Sequence, residues 1–570
     1  MAVARRLALV AMDAQWRDPN GTFFSFSYGI EKLRASIRSA PDLEDVEVLL
    51  LDLRTDNADE FMEKLEAFGP TFIGLSTYIW SLPLFAELSG RIRARWPSMP
   101  LVAGGPAARR SVLDLPLYHV LRDRLDALIT GEGEGVIREL AREHQTPGWK
   151  SRVKGLDIPQ HGLWRNSGTV DRPVLDDYPS PYQLDIGPLH KTGYIETFRG
   201  CPIHCAFCQW GEQKSDRVHG VDYLRTHLEG LKRANVPNIF FLDAAFNLSP
   251  RAFRALVEAE NDVGVLRDSI AHGHLYPTYL EEHHLKFFDG CGQVQASVGI
   301  QSFDEDVLKR LGRPFNLKKF EMVLERMRGR LDFDIELILG LPGDNPDSFK
   351  RTVEKSLELG DTVKAFKCIV LPDALLERTK ELQIEYDPAD FMIRSCEGWS
   401  ARDLEETWDW LYALASKAAR PILNDDWVGF ALTSSSPDKY KADSSDSRTP
   451  NITSGAKRRV VPSGIEAEAL HALCDEVAEL GSEWVLTNVR PGDSVVFYDL
   501  EGPQGGVVVE AKLVSEQPRF FLEREGLAYT HRGPVDRKSA AGLRQAIGVV
   551  HAHARAHLVE LTLPTEECAE

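Results

Sequence analysis

The chain has 570 residues, with 67 basic against 86 acidic side chains for a net charge of −19, and 43% of its residues are hydrophobic. This is enough for three or four packed domains, while the acidic balance argues against non-specific binding to nucleic acid or an anionic membrane, and no apolar run approaches the ~20 residues that span a bilayer. Eight cysteines without an N-terminal apolar signal segment point to a reducing, cytoplasmic setting with no disulfide framework.

Through residues 1–149, short apolar runs at 7–12, 46–53, 72–76, 101–103 and 127–130 read as strands. Segments 28–37, 58–68, 84–96 and 115–122 between them have helical spacing, the last with Pro116 in its first turn. The alternation predicts an α/β fold, a doubly wound parallel sheet whose ligand crevice lies at the carboxyl ends of its strands. Those ends carry Ser76-Thr77, Gly104-Gly105-Pro106 and Gly131-Glu132-Gly133-Glu134-Gly135, where glycines let backbone amides approach a ligand. On glycines alone a nucleotide, a flavin or plain tight turns all stay open.

Residues 150–190 are studded with Pro and Gly, including Pro179-Ser180-Pro181-Tyr182, and read as a linker. The run Arg199-Gly200-Cys201-Pro202-Ile203-His204-Cys205-Ala206-Phe207-Cys208-Gln209-Trp210-Gly211 follows. Three thiolates at this spacing can close on one soft metal centre, and with no fourth cysteine nearby one metal position is left open. A structural zinc site wants two short ligand pairs, yet Cys291, Cys368, Cys396, Cys474 and Cys568 are isolated. Strands at 239–242, 271–275, 295–301, 333–339 and 366–371, with helices between, predict a partial parallel (β/α)6 barrel over residues 191–385 whose strand ends face the cysteine loop.

CxxxCxxC with Phe207 before its last cysteine resembles the radical S-adenosylmethionine (SAM) signature. The resemblance implies that Cys201, Cys205 and Cys208 hold a [4Fe-4S] cluster whose fourth iron is chelated by SAM. The flanking Glu196-Thr197-Phe198-Arg199-Gly200 and Gln209-Trp210-Gly211 resemble the branch with a cobalamin-binding domain in front. In that family's terms, SAM is expected against the backbone of Phe207, Gln301 and Ser302 in Gly299-Ile300-Gln301-Ser302-Phe303-Asp304, Gly340, and Leu371. The usual Gly-Gly-Glu for the SAM ammonium is replaced by Leu242-Asp243-Ala244-Ala245-Phe246-Asn247, which leaves Asp243 for that task. Ser76, Thr77, Gly104, Gly105, Gly131 and Gly133 are implied for cobalamin. Where related domains have DxHxxG, this chain has Asp13-Ala14-Gln15-Trp16-Arg17-Asp18, so no histidine is expected beneath the cobalt, and Trp80 is the residue expected to cover that face.

Beyond residue 385 the resemblance weakens. Residues 386–460 read as a helical extension, with an amphipathic helix at 403–420 carrying Trp408 and Trp410 and a Ser/Asp/Lys-rich stretch at 433–458 of linker composition. Residues 461–570 predict an α+β module, with helices at 464–480 and 538–556 around strands at 494–500, 506–512 and 519–522. The resemblance implies a cobalamin-dependent radical SAM C-methyltransferase acting on an unactivated carbon of a natural-product or peptide substrate, through a 5′-deoxyadenosyl radical and methylcobalamin, with a flavodoxin or ferredoxin as electron donor. Radical rearrangement or ring closure without net methylation, non-radical methylation of an aromatic carbon, and a non-enzymatic cobalamin and iron-sulfur sensor are the alternatives. No general acid–base pair stands out, and no nucleic-acid or membrane partner is expected.

Overall fold

Leu7, Ala8, Leu9, Val10 and Ala11 are buried on both sides of their strand, as an interior strand of a parallel sheet requires. The structure is a computed structural model describing residues 4–12; residues 27–417 except 54, 171–173, 188–191, 213–216, 314 and 361; segments 422–425 and 429–433; and the backbone of six strands between residues 485 and 562. It divides into one unit of Met1–Leu414 with Asp425–Ser434 and a second of Ala415–Asn424 with Ser435–Glu570.

In the first unit, strands β1 (Arg6–Met12), β2 (Glu47–Leu53), β3 (Phe72–Ser76), β4 (Leu101–Gly104), β5 (Ala127–Ile129), β6 (Leu156–Gln160) and β7 (Leu163–Asn166) form a sheet of order β2-β1-β3-β4-β5-β6-β7. Strands β1 to β5 are parallel. Because side chains alternate across a strand, Leu7, Leu9 and Ala11 join one core with Ile30 and Ile37 of helix α1 (Tyr28–Arg38) and Leu140 of α2 (Gly133–Glu143). Ala8, Val10 and Met12 enter a second core with Phe61 and Phe85 on the opposite face. This is the doubly wound sheet that the periodicity predicts.

Strands β6 and β7 lie inside the stretch whose composition reads as linker. They extend the sheet as an antiparallel hairpin through His161 (φ 52°) and Gly162 (φ 76°). Two left-handed residues make the turn that matches strand twist; His-Gly is a weaker sequence cue for it than Asn-Gly.

The barrel has six parallel strands: β8 (Gly193–Ile195), β9 (Asn238–Phe241), β10 (Ile270–Leu275), β11 (Gln293–Gln301), β12 (Asp332–Leu339) and β13 (Thr362–Lys367). Segment Gly429–Thr433 adds antiparallel to β13. The last barrel strand thus runs earlier than residues 366–371, and Leu371 falls in the loop after it, where Pro372 is followed by Asp373 at φ 57°. Helix α3 (Val221–Ala234) lies tight on β8, for a Cβ on Gly193 would stand 2.4 Å from Leu231. Asn345 caps α4 (Pro346–Leu359) by accepting from the Ser348 amide at 3.1 Å.

The second unit contains a six-stranded sheet in sequence order, an antiparallel meander through Val485–Pro491, Val495–Gly502, Gly505–Lys512, Arg519–Arg524 and Leu527–Arg532, with Leu561–Thr562 added in parallel. The loop 13–18, the stretch 434–458 and the expected helices 464–480 and 538–556 lie outside the described residues. Among the described residues no helix is long and apolar enough to cross a membrane.

Candidate active site

The cysteine loop leaves the end of β8 and is tied to the neighbouring strand at once. The Thr197 amide and Phe198 amide donate to Asp243 Oδ1 at 2.7 and 3.2 Å, and Thr197 Oγ1 donates to Oδ2 at 2.6 Å. Burial pushes the Asp243 acid up to about 7, against the pull of these donors. Farther along, the Ala206 amide donates to the Leu311 carbonyl at 2.8 Å. Gly312 (φ 71°) is required behind the loop, since a Cβ there would meet the His204 carbonyl oxygen at 2.6 Å.

Cys201 and Cys205 are buried and Cys208 is half-buried, all as free thiols. Burial, reinforced by Cys205 and Cys201, pushes the Cys208 thiol up to about 11. Such thiols become ligands only when positive charge at the loop stabilises the thiolates, as an iron cluster does. Among the described residues no three His, Cys, Asp or Glu side chains converge on a single ion. Arg313, which sequence reasoning passed over, lies 3.6 Å from Cys205 Sγ through Nη1, donates to the Gly299 carbonyl and stands 4.7 Å over the Tyr276 ring. It brings a fixed cation beside the thiols, and only the fold reveals it.

The carboxyl ends of β1 and β3 to β5 and the cysteine loop wall one cavity of about 770 Å³. Ser76, Trp80, Gly104, Gly105, Gly131 and Gly133 line it from the first sheet, and Gly200, Gln209 and Trp210 from the loop. Thr77 is not in the lining. It is buried, its Oγ1 donates to the Gly104 carbonyl at 2.8 Å, and its own carbonyl accepts from the Ala107 amide. Gly105 (φ 98°) fits because a Cβ would lie 2.7 Å from the Thr77 carbonyl oxygen. A Cβ on Gly131 would meet nothing within 4 Å, so that turn faces open space. Small residues and apolar walls of this kind fit a large, flat, amide-fringed cofactor better than a lone phosphate. Trp80 stacks on Tyr78 with ring centroids 4.5 Å apart and donates Nε1–H to the Met12 carbonyl at 3.3 Å, which fixes its indole at the cavity wall.

Of the residues expected to meet SAM, Leu371 lines this cavity; Phe207, Asp243, Gln301, Ser302 and Gly340 do not. All six follow the same ends of the barrel strands. Gln301 sits at φ 77° on a bulge between β11 and β12, a backbone state that costs energy outside glycine. Ser302 is wholly buried, donating to Asp344 Oδ2 at 2.9 Å. Asp304, not Gln301 or Ser302, caps the next helix, accepting from the Asp306 and Val307 amides. Gly340 (φ 90°) lets Leu404 approach to 2.9 Å of its would-be Cβ. Trp408 lies under Lys367 at 4.2 Å.

Residues 195–355 match the radical SAM superfamily and residues 33–141 the B12 binding domain. A 2-(S-pantetheinyl)-carbapenam-3-carboxylate methyltransferase of Streptantibioticus cattleyicolor is 28% identical over 339 residues, covering 55% of this chain and 49% of that protein. The cobalamin-dependent radical SAM methyltransferase TokK of Streptomyces tokunonensis is 27% identical over 345 residues, with the same shares. The chain thus spans about half the length of the curated relatives it matches. Among solved structures, the radical SAM methyltransferase TsrM of Kitasatospora setae, with tryptophan and a SAM analogue bound, aligns with TM-score 0.55 at 17% identity over 72% of this chain and 89% of that one. The cobalamin-dependent SAM radical enzyme OxsB, with aqua-cobalamin and SAM bound, aligns with TM-score 0.56 at 15% identity over 72% and 67%. These likenesses at low identity bear on the fold.

Proposed function

We propose that this chain, which belongs to the cobalamin-dependent radical SAM enzymes, is a C-methyltransferase acting on an unactivated carbon of a small natural-product or peptide substrate. Its cofactors are a [4Fe-4S] cluster, SAM and cobalamin. The observation that carries the reading is the shared cavity: the turns assigned to cobalamin and the loop assigned to the cluster wall the same space. Transfer of a methyl group to a carbon radical needs both centres to reach one substrate carbon.

When bound, the cluster with SAM supplies hydrogen abstraction and methylcobalamin supplies the methyl group. The protein holds and shields. Cys201, Cys205 and Cys208 provide three thiolates, and Asp243 fixes the strand leading to them. Ser76, Gly104, Gly105, Gly131 and Gly133 would hold cobalamin with backbone and small side chains, and Trp80 would pack beside it. Phe207, Gln301, Ser302, Gly340 and Leu371 are assigned to SAM, with Ser302 acting through its bond to Asp344. The apolar cavity wall keeps water from a reactive carbon. No residue is asked to move a proton.

The name of one curated relative, a carbapenam-3-carboxylate methyltransferase, favours a carboxylate-bearing bicyclic lactam as the first substrate class to screen. The test is anaerobic turnover with a low-potential donor such as reduced flavodoxin and a panel of bicyclic lactam carboxylates and peptides. About one S-adenosylhomocysteine per 5′-deoxyadenosine, with a mass gain of one methyl group, is expected. 5′-Deoxyadenosine without homocysteine product would point to rearrangement, and homocysteine product alone to non-radical methylation; either replaces the proposal.

A further inference from the structure

One end of the cavity is closed by charged side chains from both domains. Arg199, two residues before Cys201, forms a fork on Glu196, with Nε to Oε1 at 2.8 Å and Nη2 to Oε2 at 2.7 Å. The same guanidinium reaches across to the first sheet's domain, donating from Nη2 to Glu134 Oε1 at 2.8 Å and placing Nη1 3.4 Å from Glu132 Oε2. Arg217, whose strand pairs with that of Arg199, holds Glu132 from the other side, with Nη1 to Oε2 at 3.0 Å. Glu132 and Glu134 belong to the glycine-rich turn that opens α2, the fifth-strand turn assigned to cobalamin.

These groups are out of bulk water: the Glu134 side chain is 9% exposed, Glu132 12% and Arg199 19%. Burial raises the Glu196 acid and desolvates Arg199, yet their mutual attraction prevails and holds the Glu196 carboxyl well below the usual carboxylate range. Removing one member of such a network strands a charge that cannot resolvate, so the parts move together. A second tie runs alongside, from Gln209 Nε2 to the Pro106 carbonyl at 2.8 Å. It is neutral and single, and so the weaker of the two.

Glu132, Glu134, Glu196, Arg199 and Gly200 all line the cavity. Ordering the cysteine loop therefore orders the turn that cobalamin must meet. A cofactor that settles one of them relieves the other of part of its conformational entropy, which is positive coupling without a change of fold. We propose that the Glu196–Arg199–Glu134–Glu132–Arg217 network is a positioning latch through which cluster assembly tightens cobalamin binding, and cobalamin binding secures the cluster. The inference rests on the two-cofactor reading above and adds a coupling between them.

The experiment titrates hydroxocobalamin into the full-length protein, once with the cluster reconstituted and once after iron removal by chelation, reading tryptophan fluorescence. In the unaltered chain the cluster tightens binding about tenfold, within the usual range of such couplings. In Glu134→Gln, which removes the charged bond from Arg199 to the glycine-rich turn and keeps side-chain shape, the ratio falls to about threefold or less. In Glu282→Gln, which alters an exposed ion-paired carboxylate held by Arg326 and Arg330 away from the cavity, it stays near tenfold, and this separates the latch from the loss of any paired carboxylate. The reverse readout is iron release to a chelator, which cobalamin slows in the unaltered chain and in Glu282→Gln but not in Glu134→Gln. A ratio near one in the unaltered chain, or an unchanged ratio in Glu134→Gln, overturns the latch and leaves the proposed function standing. Failure of the cluster-loaded protein to bind hydroxocobalamin at all overturns both.

Discussion

Replacing Asp243 separates two roles for this carboxylate, anchoring the cysteine loop and holding the SAM ammonium. Its two oxygens take three donors from Thr197 and Phe198, residues that are 2% and 1% exposed. In Asp243→Ala all three donors lose their partner, and at about 1–3 kcal/mol for each buried donor the cost is about 3–9 kcal/mol. In Asp243→Asn the remaining oxygen still accepts both amides and the new NH₂ can donate to Thr197 Oγ1, so the cost is about 1 kcal/mol or less. The acid is raised to about 7 in the folded chain. The folded state therefore holds its proton more tightly than the unfolded state, and this group's stabilising share is full below about pH 4 and lost as pH rises to about 7. Asp243→Asn should remove that slope and gain on the unaltered protein over the same interval. Denaturant unfolding of the iron-free protein at pH 5 and pH 8, followed by tryptophan fluorescence, reads both effects. The anchoring argument is refuted if the Ala variant unfolds within about 1 kcal/mol of the Asn variant. A stable Asn variant that binds SAM about 10- to 100-fold more weakly assigns the charge to the ligand instead.

Gly105→Ala places a methyl group against the Thr77 backbone at a positive φ, and it should cost about 2 kcal/mol or more in thermal unfolding and release cobalamin, read from visible absorbance. Cys208→Ala should bring bound iron from about four per chain to below one after anaerobic reconstitution, with unfolding of the iron-free protein little changed. Trp80→Ala removes a ring fixed by Tyr78 and the Met12 carbonyl, and it should weaken hydroxocobalamin binding to the iron-free protein about tenfold, while Trp80→Phe recovers most of the loss. Equal affinity in the Ala variant would remove Trp80 from the cofactor face.

What the sequence by itself determined is what local pattern encodes. The continuous apolar run at residues 7–12 and the helices beside it specify a doubly wound sheet, because each apolar face must be covered. The cysteine spacing specifies a soft-metal loop, because ligand type and reach are properties of adjacent residues. The six-strand barrel was legible for the same reason, down to an offset in its last strand. The hairpin at residues 156–166 was not, since its composition resembles a linker and its turn uses a histidine in the left-handed region. Only the tertiary structure decided what the expected polar residues bond to. Ser302 and Thr77 stand at the expected strand ends, yet each is spent on holding backbone or a neighbouring carboxylate. Glu134 and Arg199 are separated by 65 residues and share a hydrogen bond, and Arg313 reaches Cys205 across 108. Charge pairing and burial depend on distances through space, and the chain order carries no record of them until the two domains are packed.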